Sequence, residues 1–323
     1  MRQSANLSQA ASVVILAASM MGLAAAPAIA QEKTTKSNPF FVHEGITKRL
    51  SEHVWEIPDE SRPGVPNVAI VVGTRATLIV DTGMGQHGGT AVTNEARKLS
   101  KNTEFYLATT DFRPEHITGG QALPPNTKWV IPAAQKVDID ASTWKYINSF
   151  VSRSADLAEA LKDIKLRDPD ILFDRTARID LGGGVIVNLL WYGPARTAGD
   201  IAVFVEPDRF LHGGNFLGSK AYPSMPDDTP SVGNWLDVLD KLEALQPLIV
   251  LPNHGPVRDA TLIASQRQVL RDLQRRAMQL KSEGKTPEQA GATLTAEFDV
   301  KYTDWKGLSN IPGIVRRYYE LTP

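Results

Sequence analysis

Five short apolar segments of this chain each run into a polar turn, and this recurrence constrains the fold more than any other feature. The segments are three to seven residues long and rich in apolar residues, many of them β-branched, which indicates buried strands. Loops that leave strand ends commonly carry binding and catalytic groups, so we expect the functional residues in these turns. The turns begin at Asp81, Thr110, Gly193, Gly214 and Pro252.

The order of the predicted elements narrows the fold class. Strands come first, then strands alternate with helices, and this sequence of patterns then repeats. Periodic apolar residues predict closing helices at about 261–282, 287–297 and 313–321. A pair of strand groups with helices beside each predicts an α/β protein of the αββα sandwich type, with two mixed sheets and helices outside.

The first 30 residues have the pattern of a signal peptide. Arg2 is followed by an apolar run from about Ala10 to Pro27, and Ala28-Ile29-Ala30 has the small residues of a cleavage site. The alternative is an uncleaved membrane anchor. We therefore expect export across the inner membrane to the periplasm, with a loose leader at 31–47. A single domain with C-terminal helices should cover 48–323.

Charge and cysteine content exclude several classes of function. The chain has 35 basic and 36 acidic residues, and loss of Arg2 with the signal peptide leaves a net charge near −2. This balance predicts no nucleic-acid partner and no membrane surface after cleavage. There is no cysteine, which excludes thiolate ligands and a cysteine nucleophile. The expected partner is a small-molecule substrate, and the sequence does not indicate an oligomeric state.

The segment 107–120 contains the richest set of chemical groups. A buried strand leads into Asp111-Phe112-Arg113-Pro114-Glu115-His116, and a pair of glycines follows. A carboxylate next to a histidine is typical of a metal-binding turn. Arg113 contradicts a simple metal site, because a guanidinium remains protonated in proteins and cannot be a ligand.

These segments together resemble the five motifs of the metallo-β-lactamase superfamily, over roughly residues 48–260. The resemblance implies the αββα fold and a centre for two zinc ions, with a second motif of the form His-x-His-x-Asp-His. Here the metal-binding positions are substituted, so the motif is degenerate, and only two family histidines remain. The corresponding residues are Asp111, Arg113, Glu115 and His116 in the second motif, Arg196 in the third, Asn215 in the fourth and His254 in the fifth.

The substitutions form a charge-balanced set. If the fold is kept, Arg113 and Arg196 face the position of the first zinc, where two fixed positive charges oppose a dication. Asp111 and Glu115 then balance the two arginines. We therefore expect no metal or other cofactor. The alternative is one zinc or iron ion held by Glu115, His116 and His254.

This set suggests a rebuilt acid–base site for a small anionic or carbonyl-bearing substrate. Glu115, His116 and His254 are the predicted catalytic residues, and the reaction is hydrolysis or elimination, which makes a lyase a possible class. The predicted substrate-binding residues are Arg113, Arg196, Asn215, Asp111, Lys220 and Tyr222. The arginine pair would hold an anion or an oxyanion in place of the first metal.

Two alternatives to this hypothesis stay open. The chain could be a mononuclear metal-dependent hydrolase, or a non-catalytic pseudoenzyme that binds an anionic ligand. Asp81 and Asp200 are expected to brace the loops, by analogy with the family. We expect His87 to be an exposed residue at a helix start and His212 to have a packing role.

Overall fold

Two β-sheets stacked face to face form the centre of the molecule. The computed structural model describes residues 38–225 and 232–321; the predicted signal peptide lies outside them. The first sheet follows chain order, antiparallel from β1 to β4 and parallel from β4 to β7. Its strands are β1 (Lys48–Arg49), β2 (Val54–Ile57), β3 (Val68–Val72), β4 (Ala76–Val80), β5 (Glu104–Ala108), β6 (Lys128–Pro132) and β7 (Ile171–Phe173).

The second sheet has five strands in the order β12-β11-β10-β9-β8. Its strands are β8 (Thr176–Asp180), β9 (Ile186–Leu190), β10 (Ala202–Val205), β11 (Phe210–His212) and β12 (Ile249–Leu251). Only β11 and β12 are parallel neighbours, so this sheet is mixed like the first.

Helices cover the outer faces of both sheets. In chain order they are α1 (Gly85–Leu99), α2 (Pro114–Ile117), α3 (Ala133–Val151), α4 (Ala155–Ala160), α5 (Val232–Ala244), α6 (Thr261–Ser282), α7 (Pro287–Lys301) and α8 (Ile311–Leu321). Apolar residues of α1 and α3 pack on the first sheet, and those of α5 and α6 pack on the second. The prediction of an αββα sandwich is confirmed.

Alternation along the strands places the core between the sheets. Val71 and Leu78 point inward and meet Leu189 and Val203 of the opposite sheet, whereas Ile70 of the same β3 strand points outward to α1. Parallel pairing of β4 with β5 and of β11 with β12 makes the turns after each pair leave at one edge. That edge carries the functional residues.

The part of the expected loose leader that the structure describes packs on the sandwich. Val42 is 2% exposed and lies in the core beneath the first sheet. The backbone N–H of Gly45 donates to Glu95 of α1 at 2.9 Å, and Thr47 donates to the same carboxylate. Burial of Val42 thus makes residues 38–47 part of the folded unit.

The described residues from 38 onward belong to one compact unit. Within 38–225 and 232–321, no helix combines the length and apolarity that crossing a membrane requires.

Candidate active site

Asp81 braces the loop that follows β5. Its backbone is left-handed (φ 64°), which turns the carboxylate back across the edge of the sheet. One carboxylate oxygen accepts from Thr110 N at 2.7 Å and the other from the Thr110 hydroxyl at 2.8 Å. The second oxygen also lies 3.0 Å from Nδ1 of His116. This agrees with the structural role expected for Asp81.

Arg196 is a buried strut between two loops. Its guanidinium donates to Asp111 Oδ2, to the carbonyl of Ser224 and to the hydroxyl of Ser224, each at 3.0 Å. The residue is 2% exposed. Asn215 Nδ2 donates to the same Asp111 oxygen at 2.9 Å and lies 3.2 Å from Nε2 of His116. Arg196 therefore holds protein groups, whereas the sequence predicted a ligand contact.

Arg113 and Glu115 keep unused hydrogen-bonding atoms. Arg113 is the N-cap of the short helix that begins at Pro114, and its backbone N–H donates to Asp111 at 2.9 Å. Its guanidinium lies 3.9 Å from Asp111 and 3.9 Å from Glu115, too far for hydrogen bonds. Nε of Arg113 and Oε2 of Glu115 are buried, and neither has a partner among the described atoms.

His116 is completely buried among acidic groups. Burial opposes its protonation, but the charges of Asp111, Asp81 and Glu115 outweigh that cost and raise the pKa of His116 to about 10. Nε2 lies 3.0 Å from the amide nitrogen of Asn253, whose carbonyl is buried without a partner. Rotating this amide by 180° would direct the carbonyl at the protonated Nε2 and satisfy both groups.

The ionised groups of this cluster balance. Burial opposes ionisation of Asp111, but the positive charges of His116 and Arg113 and a hydrogen bond from Asn215 lower its pKa. The acidic and basic groups pair as Asp81 with His116, Asp111 with Arg196, and Glu115 with Arg113. A buried set of this kind is tolerated because each charge has an opposite neighbour. We call Asp111, Arg113, Glu115, His116, Arg196 and Asn215 the charged cluster.

Two further carboxyl groups lie beside the charged cluster. Asp200 accepts from the backbone N–H of Thr197, and Asp138 on α3 accepts from the N–H of Gly199 at 2.9 Å. Burial raises the pKa of each to about 7, and the charge of Asp111 adds to the shift at Asp200. Asp138 was not predicted from the sequence, since nothing in the α3 periodicity distinguishes it from a solvated helix residue.

His254 lies at the edge of the charged cluster. Its side chain is 38% exposed, its Nε2 is 3.4 Å from the Asn253 amide, and its Nδ1 is 3.8 Å from Asp59. An inner cavity of about 150 Å³ is bordered by His254 and by two residues of the charged cluster, Arg196 and Asn215. It is lined by Arg196, Asn215, Leu217, Gly218, Ala221, Tyr222, Pro223, Ser224, His254 and Gln266.

Two predicted substrate-binding residues have other partners. Lys220 is exposed and forms an ion pair with Asp304, outside the inner cavity. Tyr222 borders that cavity, but its hydroxyl donates to the carbonyl of Phe298 at 2.9 Å and its ring packs on Trp305. Both residues attach their loop to the C-terminal helices.

The other two histidines considered from the sequence also have clear positions. His87 is exposed at the start of α1, and its ring stacks on Phe41 with 3.8 Å between ring centroids. His212 is buried, with Nε2 3.2 Å from the carbonyl of Asn67 and with Nδ1 accepting from Gly214 N. Burial lowers the pKa of His212, which favours the neutral ring in a packing role.

Ser224 and Asn253 are site residues that sequence reasoning missed. Ser224 lies in an irregular loop, and its two contacts with Arg196 become visible only after folding. Asn253 has a weak signal, because it precedes His254 in the fifth turn. Its backbone N–H donates to Gly214 at 3.0 Å, which ties the fourth and fifth turns together.

The donor set does not fit a two-metal centre. At the first position, Asp111 is occupied by Arg196 and Asn215, and guanidinium groups can only donate. Within the described part of the chain, no three His, Cys, Asp or Glu side chains are arranged to hold a metal ion. Glu115, His116 and His254 are brought to one region, but not as a ready-made ligand set.

Solved structures with the same architecture support the fold assignment. A metallo-β-lactamase from Pontibacter korlensis matches with a TM-score of 0.55 at 16% identity, over 70% of this chain and 98% of that one. A metallo-β-lactamase from Hirschia baltica gives 0.52 at 14% identity, over 69% and 96%. An inverting sec-alkylsulfatase from Pseudomonas sp. gives 0.65 at 14% identity, over 85% of this chain and 50% of that one.

Sequence comparison adds nothing to this result, since no family model and no curated protein matches the chain. Identities near 15% establish shared architecture and do not establish shared chemistry. The sheet order, the helices outside and the turns at one sheet edge agree with the structural matches. The chain therefore has the fold of the metallo-β-lactamase superfamily.

Proposed function

We propose that this protein is an exported enzyme that uses acid–base chemistry on a small anionic or carbonyl-bearing substrate. The proposal depends mainly on two buried atoms of the charged cluster that have no hydrogen-bond partner among the described atoms, Oε2 of Glu115 and Nε of Arg113. The side chain of Glu115 is 4% exposed and that of Arg113 is 15% exposed. Buried polar groups normally have partners, so an acceptor beside a donor is best explained by a ligand that meets both.

The two atoms suit different parts of a hydrolytic step. Glu115 is suited to take a proton from water as the water attacks a carbonyl or ester centre. Arg113 is suited to hold the anionic group of the substrate, or the oxyanion that develops. His254 borders the inner cavity and is suited to return a proton to the leaving group. The same groups would serve an elimination, in which Glu115 removes a proton from carbon.

The roles of the two arginines differ in this proposal. Arg196 donates to Asp111 and Ser224 and keeps the loops in place, so it supports the site from behind. The guanidinium of Arg113 comes no closer than 3.9 Å to a carboxylate of the described residues, and only its backbone N–H donates to one, that of Asp111. Arg113 is therefore the arginine that we assign to the substrate.

The named activities of the structural neighbours suggest which bonds to test. A β-lactamase and a sec-alkylsulfatase are both named for hydrolysis, and the second acts on an anionic ester. An alkyl sulfate and an activated carboxylate ester are therefore suitable first substrates. The proposal concerns the class of bond and leaves the natural substrate to be identified.

The direct test is Glu115→Gln assayed on p-nitrophenyl acetate and on 2-octyl sulfate. Glutamine keeps the shape but cannot take a proton, so we expect kcat to fall at least about 100-fold, the usual worth of a general base. Glu52→Gln is the matched control, since Glu52 is 79% exposed. If the native protein turns over one of these substrates and the Glu115→Gln variant keeps that activity, Glu115 is not the base. Tight anion binding without turnover in the native chain would favour the non-catalytic alternative.

Metal analysis separates this proposal from the one-metal hydrolase. Protein purified without chelator should contain far less than one equivalent of zinc or iron. About one equivalent, lost on changing His116 or His254, would instead support the mononuclear alternative. Neither result depends on knowing the substrate.

A further inference from the structure

A second, outer cavity lies beside the inner cavity. Its volume is about 300 Å³, twice that of the inner cavity. His254 and Ala221 border both spaces. The outer cavity is lined by Asp59, Ser61, Arg62, Pro63, Gly64, Ser219, Ala221, His254, Gly255 and Lys306. A ligand that lies in the inner cavity and extends past His254 therefore has room for a tail in the outer cavity.

Lys306 is the cation of the outer cavity that is available to a ligand. No carboxylate in the described parts of the chain forms an ion pair with its ammonium group, and the residue is exposed. The charge of Arg62 is paired with Glu60 at 3.1 Å, and Arg62 donates to the carbonyl of Phe41 at 2.7 Å, but its Nε and Nη2 have no hydrogen-bond partner among the described atoms.

Asp59, the acidic residue that lines the outer cavity, already has hydrogen-bond donors within the protein. Asp59 accepts from the backbone N–H groups of Ser61 and Gly255 at 2.9 Å each, and His254 is 3.8 Å away. Both oxygens of Asp59 are thus engaged by backbone donors, while its negative charge remains. The hydroxyls of Ser61 and Ser219 add donors on the same walls.

The backbone around Lys306 is held in place. Lys306 N donates to Lys220 O at 2.9 Å, and Tyr222 N donates to Lys306 O at 2.9 Å, which makes a short bridge between two segments. The same loop continues to Ser224, which holds Arg196. The long side chain of Lys306 thus extends from a fixed base beside the outer cavity.

We propose that the outer cavity is a second anion subsite, in which Lys306 holds a carboxylate or sulfate at the far end of the substrate. This inference rests on the proposed function, because it takes the reacting end to lie at Arg113. The outer cavity has about the volume that ten water molecules occupy in the liquid, which is enough for a short carbon chain with a terminal anion. The substrate class is therefore a short dianion with its charges at opposite ends.

The test compares binding of dicarboxylates with monocarboxylates of equal carbon number, from succinate against butyrate to suberate against octanoate, by calorimetry. We expect dicarboxylates above a minimum length to bind more tightly. Lys306→Gln should weaken those dicarboxylates about three- to tenfold and leave monocarboxylates unchanged, as an exposed ion pair predicts. Lys285→Gln removes an exposed charge elsewhere and should change neither series.

The outcomes separate this inference from the proposed function. Monocarboxylates that lose affinity on Arg113→Gln, with no effect of Lys306→Gln on dicarboxylates, would overturn the outer subsite and leave the cluster proposal intact. Dicarboxylate binding that depends on Lys306 and is unaffected by Arg113→Gln would support the outer subsite and count against the role of Arg113. Equal weakening of both series by Lys306→Gln would overturn the subsite.

Discussion

At the scale of single residues, Arg113 and Arg196 have different surroundings. Arg196 makes three hydrogen bonds at 3.0 Å, whereas the guanidinium of Arg113 stays 3.9 Å from its acidic neighbours. Their position beside Asp111 could be predicted from the sequence. The asymmetry could not, because it depends on Ser224, which reaches Arg196 from 28 residues further along the chain.

This asymmetry predicts different costs of substitution. Arg196→Gln should destabilise the protein by about 3–5 kcal/mol, the typical cost of removing one partner of a buried ion pair. Arg113→Gln should cost less, since it breaks only the longer ion pairs with Asp111 and Glu115, at 3.9 Å each, and no hydrogen bond of the guanidinium. Urea unfolding of the two variants provides the comparison. A loss at Arg113 as large as that at Arg196 would show that the strut assignment is wrong.

Ser224→Ala extends this comparison to the loop. The variant removes one of the two Ser224 acceptors and should cost about 1–3 kcal/mol, the range for a hydrogen bond to a charged group. No change in the unfolding midpoint would show that the hydroxyl contact contributes little.

At the scale of elements, strands were easier to predict than helix ends. Apolar runs over Ala76–Val80 and Lys128–Pro132 predict strands there from the sequence, and the structure has strands with these same bounds. The strands Lys48–Arg49 and Ile171–Phe173 were missed, because both are short edge segments in which every side chain except Phe173 is exposed, so neither shows an alternating burial pattern.

The start of α1 shows how packing overrides propensity. The sequence pattern predicts a helix over Thr90–Leu99, yet α1 begins at Gly85 and includes Gly88 and Gly89, although glycine disfavours helices. A Cβ on Gly89 would lie 1.9 Å from the carbonyl oxygen of Gly119. The glycine thus permits α1 to touch the turn beside the charged cluster, a contact invisible in a sequence pattern.

Gly89→Ala should therefore destabilise the protein by at least about 2 kcal/mol, since backbone must move to admit the methyl group. Gly313→Ala in α8 is the matched control, because a Cβ there meets nothing within 4 Å. That control should stabilise the protein by up to about 1 kcal/mol through helix propensity. Thermal unfolding of both variants should therefore shift in opposite directions, and a shared direction would contradict the close-contact argument.

At the scale of the whole molecule, the buried titratable groups set a stability optimum on the acid side of neutrality. The pKa of His116 is raised from 6.5 to about 10, so its contribution is complete below pH 6.5 and is lost toward pH 10. The raised pKa values of Asp138 and Asp200, about 7, make stability fall as pH rises from 3.8 through 7. The lowered pKa of Asp111 makes stability fall below pH 3.8.

We therefore expect maximal unfolding free energy at about pH 4. Asp138→Asn should leave stability at pH 4 nearly unchanged and raise it at pH 8 by about 1–2 kcal/mol, after a discount for the partly exposed carboxyl. Denaturant titrations across this range supply the measurement. A variant whose profile parallels the native one would mean that Asp138 ionises in the fold at no cost.

The backbone hydrogen bonds between the 217–225 loop and Lys306 determine when the site can be completed during synthesis. A ribosome delivers the chain from its amino terminus, so the turns after the strands emerge well before residue 306. The loop that braces Arg196 acquires its second anchor only when nearly the whole chain is out. The cleft is thus completed late in synthesis. A chain that ends after α7 would contain every residue of the charged cluster but would lack Lys306 of the outer cavity.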